Sequence, residues 1–320
     1  MNDSITPTVN AHFPVSNYAP GFYANLSNEA YHADPSISSS GLKMFAEMPK
    51  LFYLNYIDEN SPERKRTKAM NKGSRLHTAL LEPDFYGERY KVAPPTCIND
   101  KGKTVPFTRI QKKAWKEFEE LAESEGKEAI THDEKIQDFD VVEAITADPF
   151  AKKIFSIRGA VEGSFFSKCA DTGLPIRARP DMLVELPGGY GFDGGLYIID
   201  LKTTAQDLSD SSQIRIAMGS DKRHIQASFH TTTVEQELNT KIQGTLHFVC
   251  DMSFPFFYRC LQLQPDQMQQ GHDEKQALMV KLDRCFQANT WPGYKQGVDY
   301  YIDTPEYLTY PRHYALQIEI

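Results

Sequence analysis

A change of hydrophobic period near residue 158 is the feature that most constrains how this chain can fold. Before it, apolar residues recur at helical spacing, as in 133–146. After it, apolar and polar residues alternate over 161–166 and 176–184, which is the period of a half-buried strand. The turn signal Asp171-Thr172-Gly173 separates the two alternating segments. Together they predict a β-hairpin.

The order of the predicted elements indicates an α/β fold with a central mixed β-sheet flanked by helices. After the hairpin, we expect strands near 196–202, 245–251 and 256–263 and helices near 221–243 and 266–288. A chain of 320 residues is long enough for one large domain. Residues 1–26 are polar and rich in Pro, Asn and Ser, so we expect a poorly ordered leader followed by a single domain over 27–320.

Charged residues stand at the ends of two of the predicted strands. Asp181 lies on the second strand of the hairpin, and Asp200 and Lys202 lie on the next strand. Side chains two residues apart on a strand share a face, so neighbouring strands would bring these three groups to one place. Glu162, on the facing strand of the hairpin, can join them. Hard oxygen ligands of this kind hold Mg²⁺ or Mn²⁺, which activate water for phosphodiester hydrolysis.

A simpler interpretation stays open, in which these charges merely face solvent at the ends of strands. Asp200-x-Lys202 alone is a common pattern, and only the addition of Asp181 and its strand favours a metal site. The net charge is −8, from 35 Lys and Arg against 43 Asp and Glu. Nucleic-acid binding would therefore need a local basic patch, because the chain as a whole is acidic.

Several classes of protein are disfavoured by what the sequence lacks. No run of residues approaches the apolar length of a membrane helix, and the N-terminus does not resemble a secretory signal. The five cysteines are an odd number with no close pair, which argues against a disulfide framework and a zinc ribbon. We therefore expect a cytoplasmic protein without a membrane partner.

At this point the residues resemble a known family. Arg-Pro-Asp181 followed by Asp200-Leu-Lys202 looks like the PD-(D/E)xK nuclease core, and the finer match is to the RecE-type exonucleases, which include exodeoxyribonuclease VIII and its phage or prophage relatives. The supporting segments, in chain order, are YHADP at 31–35, SSSGLK at 38–43, GSRLHTALLEP at 73–83, VEGSFF at 161–166, GLPIRARPD at 173–181 and WPGY at 291–294. The similarity extends from about residue 27 to 295 and implies a restriction-endonuclease-like core.

The resemblance also implies roles for individual residues. His77, Asp181, Asp200 and the carbonyl of Leu201 would hold the metal, with Mg²⁺ expected and Mn²⁺ as the alternative. Lys202 would act on the attacking water, and Gln226 would lie near the DNA strand that is cut. Glu162 would lie at or next to the metal, although pairing with an arginine across the hairpin explains it equally well.

Basic residues are the expected DNA contacts, and each has a purely structural alternative. Arg75 lies on the helix that we predict from about Gly73 to Leu81, which also carries His77. Arg177 and Arg179 either hold DNA phosphate or only neutralise the acidic cluster. His230 stands one helical turn after Gln226, where the family usually has tyrosine, so it would replace that phenol as a donor. The basic loop that contains Arg64, Lys65 and Arg66 either contacts phosphates along the DNA backbone or is simply solvated.

By resemblance, the chain is a Mg²⁺-dependent enzyme that degrades linear double-stranded DNA from 5′ to 3′. The products would be 3′ single-stranded tails for recombination, and a single-strand annealing protein would be the partner. The family forms ring-like homo-oligomers, so a ring such as a tetramer is expected. Two alternatives remain, namely an endonuclease or structure-selective nuclease on the same fold, and an inactive DNA-binding protein.

Overall fold

The computed structural model describes residues 13–61, 68–99, 101–189, 192–204 and 208–293. Within these ranges the helices are α1 Asn28–Ala33, α2 Ser39–Glu47, α3 Pro49–Tyr56, α4 Lys68–Leu81, α5 Tyr86–Arg89, α6 Lys112–Ser124, α7 His132–Thr146, α8 Pro149–Ser156, α9 Ser211–Ser220, α10 Arg223–Leu238 and α11 Pro265–Ala288. The strands are β1 Gly21–Tyr23, β2 Ile37–Ser38, β3 Tyr90–Val92, β4 Thr96–Ile98, β5 Thr104–Pro106, β6 Glu128–Ile130, β7 Ala160–Val161, β8 Ser164–Lys168, β9 Pro175–Ala178, β10 Met182–Leu186, β11 Gly195–Thr204, β12 Ile242–Asp251 and β13 Tyr258–Gln262.

A five-stranded mixed sheet forms the centre of the fold, in the order β13-β12-β11-β10-β7. Strands β11 and β12 pair in parallel, and the other pairs are antiparallel. The chain returns from β11 to β12 through α9 and α10, as a parallel pair requires. The predicted α/β class with a central mixed sheet and flanking helices is therefore confirmed.

The middle of the parallel pair β11 and β12 is mostly apolar on both faces, but it contains a buried pair of ionisable residues. Buried parallel strands are usually continuous apolar runs, because packed elements cover both of their faces. Asp200 of β11 and His247 of β12 break this rule, and they are direct partners in the register of the two strands. Both side chains are buried, so each of them needs a hydrogen-bonding partner inside the protein.

Alternate residues of β11 point into different cores. Tyr197, Ile199 and Leu201 pack with side chains of α4, α7 and α8. Ile198 points the other way and packs with Val234 of α10. Because side chains alternate along a strand, Asp200 and Lys202 lie on the α10 side of the sheet.

The predicted hairpin forms only in part. Strands β8 and β9 do pair in antiparallel fashion, but β9 ends at Ala178. The chain then leaves this sheet over 179–181, and β10 joins the central sheet beside β11. Pro180 has no N–H to donate to a ladder, which favours a break there. The prediction of one continuous strand over 176–184 was therefore wrong, and Glu162 lies between β7 and β8 rather than on a strand.

The second half of the expected leader belongs to the folded structure. Strand β1 pairs with β8 and forms the edge of a four-stranded sheet in the order β1-β8-β9-β2. The backbone N–H of Asn17 donates to Asp34 at 2.7 Å. The expectation of a poorly ordered segment is therefore wrong for residues 13–26, because these long-range pairings are invisible in a local polar composition. Residues 1–12 lie outside the described ranges.

Two further expectations concern cysteines and membranes. All five cysteines are free thiols, in agreement with their odd number and wide spacing. Among the described residues, no helix has both the length and the apolar character needed to cross a bilayer.

Candidate active site

The ends of β10 and β11 bring together the three charged groups that the sequence singles out. The Lys202 ammonium lies 2.7 Å from Asp200 Oδ1 and 3.4 Å from Asp181 Oδ2. This meeting follows from the antiparallel register, in which Met182 is opposite Ile199. Two carboxylates thus share one ammonium on one face of the sheet.

Asp200 is held by several donors from different elements. Gln226 of α10 donates to Oδ1 through Nε2 at 2.9 Å, and His247 Nδ1 lies 2.9 Å from Oδ2. Arg223 Nη1 is 3.7 Å from the same Oδ2. Burial opposes ionisation of Asp200, but the attraction of Lys202 and the bond to His247 hold its pKa well below its ordinary value. Asp200 is therefore a carboxylate at neutral pH.

The charge of Lys202 is maintained by the same pair of carboxylates. Burial alone would favour the neutral amine, but Asp181 and Asp200 raise the pKa of Lys202 above its ordinary value. Its ammonium also donates to the Leu201 carbonyl at 3.2 Å. The group is fixed as a cation in a defined position.

Asp181 and His77 form the other half of the cluster. Asp181 Oδ2 accepts the Leu201 N–H at 2.6 Å. His77 of α4 places Nε2 at 2.8 Å from the Leu201 carbonyl oxygen and 3.5 Å from Asp181 Oδ2. The helix that carries His77 therefore meets the sheet at the residue between Asp200 and Lys202.

Glu162 reaches the edge of this cluster by an unusual backbone conformation. Its φ is 47°, in the left-handed region that residues other than glycine seldom adopt. Its N–H donates to the Asp181 carbonyl at 3.0 Å, and its Oε2 is 3.9 Å from Arg179 Nη1. Burial raises the pKa of Glu162, the nearby Asp181 charge raises it further, and His77 opposes this shift. A strained turn tied to Asp181 suits a functional position.

The donor atoms around Leu201 are of the kind that a divalent cation uses. Two carboxylates and one peptide oxygen are the hard ligands that suit Mg²⁺ or Mn²⁺, and one imidazole nitrogen lies beside them. In the described part of the chain, no three or more His, Cys, Asp or Glu side chains form a ready-made metal cluster. The Lys202 ammonium lies between the two carboxylates instead. The fit of a divalent cation here therefore rests on the chemistry of the donor atoms.

Of the three arginines expected at the DNA, Arg75 and Arg177 are buried and Arg179 is half-buried, and all three contact other protein groups. Arg75 is 2% exposed, and its Nε donates to Asp138 Oδ2 at 2.8 Å, which joins α4 to α7. Arg177 is 3% exposed and lies 4.9 Å from the centre of the Tyr31 ring. Arg179 lies 4.1 Å from the same ring and donates to Ser164 and to the Leu26 carbonyl. Arg177 and Arg179 therefore fasten the N-terminal segment to the β8–β9 sheet.

His230 is also buried, so its expected role as a DNA donor is wrong. Its Nε2 lies 3.2 Å from the Ser39 hydroxyl of α2. Burial lowers the pKa of His230 to about 4, so the ring is neutral at physiological pH. Arg64, Lys65, Arg66 and Tyr294 lie outside the described residues.

Sequence reasoning missed three residues around Asp200, namely Lys43, Arg223 and His247. Lys43 of α2 donates to Gln226 Oε1 at 2.8 Å, on the opposite side of the amide from Asp200. His247 had a signal in the sequence, because it interrupts an apolar strand as Asp200 does. Lys43 and Arg223 had none, since only the packing of α2 and α10 brings them to the sheet.

Comparison with known proteins supports this description of the fold. The structure superposes on the crystal structure of a putative exonuclease from Eubacterium rectale with a TM-score of 0.50, 14% sequence identity and coverage of 86% of this chain and 96% of that one. No curated protein matches the chain. Residues 38–304 match the family described as a PDDEXK-like domain of unknown function (DUF3799). The match covers most of the chain, which therefore belongs to this PDDEXK-like family, a branch of the PD-(D/E)xK nuclease superfamily.

Proposed function

We propose that this protein is a metal-dependent deoxyribonuclease that degrades linear double-stranded DNA. The observation that carries the proposal is the meeting of Asp181, Asp200 and Lys202 at one point of a PDDEXK-like fold. A buried charge is costly to maintain, and Asp200 is buried at this point with the Lys202 ammonium 2.7 Å away. Such clusters are typical of functional sites.

Asp181, Asp200, His77 and the Leu201 carbonyl would hold Mg²⁺, with Mn²⁺ as the alternative. A bound divalent cation would lower the pKa of a water molecule and neutralise charge on the phosphodiester. The carboxylates are suited to this, because the depressed pKa keeps Asp200 ionised at neutral pH without a metal.

The remaining residues act on the substrate or on the carboxylates. Lys202 is a fixed cation that can orient the attacking water and stabilise negative charge on the phosphate as it develops. Gln226 and His247 restrict the rotation of Asp200, since each holds a different carboxylate oxygen. Glu162 lies beside Asp181 with a raised pKa, which suits a group that exchanges a proton with water.

The finer activity that we propose is that of a RecE-type exonuclease. It would cut from 5′ to 3′ and leave 3′ single-stranded tails for a single-strand annealing protein. The support is the ordered resemblance of the sequence segments and the exonuclease name of the structural neighbour. A ring-like homo-oligomer around the DNA belongs to the same proposal, as do a phage or prophage origin and a cytoplasmic location.

Digestion of end-labelled linear duplex tests the reaction class, the metal requirement and the polarity together. We expect degradation with Mg²⁺ and none with a chelator, with 5′ label released before 3′ label. Closed circular duplex is the matched substrate, and we expect it to stay intact. Cleavage of circles would overturn the exonuclease assignment in favour of an endonuclease, and full activity in chelator would overturn the metal requirement.

Replacing Lys202 tests the catalytic assignment. We expect Lys202→Ala to lower cleavage by about 100-fold or more, as is usual when one group that stabilises transition-state charge is removed. DNA binding should survive, because only one contact is lost. Lys116→Ala is the matched control, since this lysine is 77% exposed on α6 and pairs with Glu120 of the same helix. Cleavage by Lys202→Ala at the rate of this control would remove Lys202 from the mechanism.

A further inference from the structure

Lys43 lies close to the cluster but takes no part in the chemistry described above. It belongs to α2, and its ammonium donates to Gln226 Oε1 at 2.8 Å. The other end of the same amide donates to Asp200 Oδ1 at 2.9 Å. Two hydrogen bonds and one amide separate the ammonium from the carboxylate, which puts them within about 8 Å of each other.

The charge of Lys43 is poorly compensated. The side chain is half-buried, and in the described part of the chain none of the ion pairs within 4.0 Å includes it. Its hydrogen-bonding partner is a neutral amide. Burial and the like charge of Lys202 together lower the pKa of Lys43 to about 8, although the charges of Asp200 and Asp221 oppose this shift. The protein therefore holds a second ammonium beside the first without a carboxylate of its own.

An ammonium in this position is suited to bind an external anion. Its other N–H groups can be directed toward an incoming ligand, and an anion would relieve the cost of keeping a partly desolvated charge. We propose that Lys43 binds a backbone phosphate of the DNA strand, adjacent to the phosphate that is cut at Asp181 and Asp200. This inference rests on the proposed nuclease function and adds a substrate contact to it.

The alternative is that Lys43 only orients Gln226. In that case its removal would disturb Asp200 and slow cleavage, but it would not change how many phosphates the protein neutralises. The salt dependence of DNA binding separates the two roles, because each phosphate contact contributes about 0.9 to the slope of log affinity against log salt concentration.

We would measure binding of a short linear duplex at pH 7 in chelator, over a range of NaCl concentrations. For Lys43→Gln we expect the slope to fall by about 0.9 and the affinity at 0.1 M salt to fall about eightfold. Lys43→Arg should retain the wild-type slope, since it keeps the charge. Lys116→Gln is the control for loss of a lysine elsewhere, and thermal unfolding of each variant verifies that it is folded.

An unchanged slope in folded Lys43→Gln would overturn the proposal, and a lowered kcat with that unchanged slope would make Lys43 a positioning residue for Gln226. The nuclease proposal fails separately. If the wild type binds duplex but does not hydrolyse it, the enzyme assignment is wrong while the slope still decides whether Lys43 contacts phosphate. If the wild type binds no DNA, both proposals are overturned.

Discussion

Replacing Arg75 by methionine should destabilise the protein because it leaves a buried carboxylate without its cation. Arg75 Nε donates to Asp138 Oδ2 at 2.8 Å, and the two side chains are 3% and 0% exposed. The only other donor to this carboxylate in the described structure is the Tyr86 hydroxyl, also at 2.8 Å. Methionine keeps much of the arginine stem, so the change removes mainly the charge.

The cost can be worked out from the proton that Asp138 would take up. Burial already raises the pKa of Asp138 in the wild type, and without Arg75 the neutral acid becomes the cheaper folded form. Protonating a carboxyl that has an unfolded pKa of about 3.9 costs about 4 kcal/mol at pH 7. This cost is the upper limit of the destabilisation, because Asp138 can take up a proton rather than remain an unpaired charge. Breaking a buried ion pair on one side typically costs about 3–5 kcal/mol. We therefore expect a loss of about 3–4 kcal/mol in the free energy of unfolding.

The same reasoning predicts how this loss depends on pH. Between pH 5 and pH 7, Asp138 of the variant is protonated when folded and ionised when unfolded, so the folded state binds the extra proton. The destabilisation should therefore shrink by about 1.4 kcal/mol for each pH unit of acidification. At pH 5 about 1 kcal/mol or less should remain.

Urea unfolding at pH 7 and pH 5, followed by tryptophan fluorescence, measures both values. Trp115 is 4% exposed and will report the transition. Arg75→Met combined with Asp138→Asn is the matched control, and it should recover most of the stability at pH 7 because no carboxyl is stranded. A loss below about 1 kcal/mol at pH 7, or an equal loss at both pH values, would refute this account. DNA affinity of the folded single variant should equal that of the wild type.

Two other changes probe the packing around the site. Gly271→Ala should cost about 2 kcal/mol or more of stability in urea unfolding, because a Cβ there would lie 2.2 Å from the His224 carbonyl oxygen. The control is Gly219→Ala, whose Cβ would meet nothing within 4 Å and which should gain about 0.5–1 kcal/mol of stability. Equal effects at the two glycines would contradict the close approach of α10 and α11. Between pH 6.5 and pH 4, the wild type should lose about 3 kcal/mol more stability than His230→Gln. The reason is that burial lowers the pKa of folded His230 to about 4, whereas the unfolded ring takes up a proton near pH 6.5. Parallel acid profiles of this variant and the wild type would contradict the burial of that imidazole.

Local sequence patterns predicted several of the elements that carry the candidate site. Alternation with period two identified strand residues around Asp181, and a separate short strand was predicted near 196–202. On that strand, the rule that side chains two residues apart share a face placed Asp200 beside Lys202. The helix that carries His77 was also predicted, although its start came out later than the observed Lys68. These features depend on neighbours in the sequence, which is why pattern alone reveals them.

Which strands pair is decided over longer distances. The segment around Arg177 and Asp181 looks like one alternating strand, yet the chain changes sheets at Arg179 and Pro180. A local pattern cannot distinguish one long strand from two successive strands that are separated by a proline. For the same reason, Arg177 and Arg179 were expected at the DNA, although Tyr31 lies against both of them.

The charged groups, their faces on the strands and the family resemblance could therefore be recognised from the order of residues alone. The tertiary structure alone decided what surrounds them. Lys43 and Gln226 are 183 residues apart in the chain, and His247 and Asp200 are 47 apart. Such contacts arise from the packing of α2, α10 and β12 around β11, because burial of the shared apolar core sets how those elements lie. The polar side chains that meet at Asp200 are brought there by that packing.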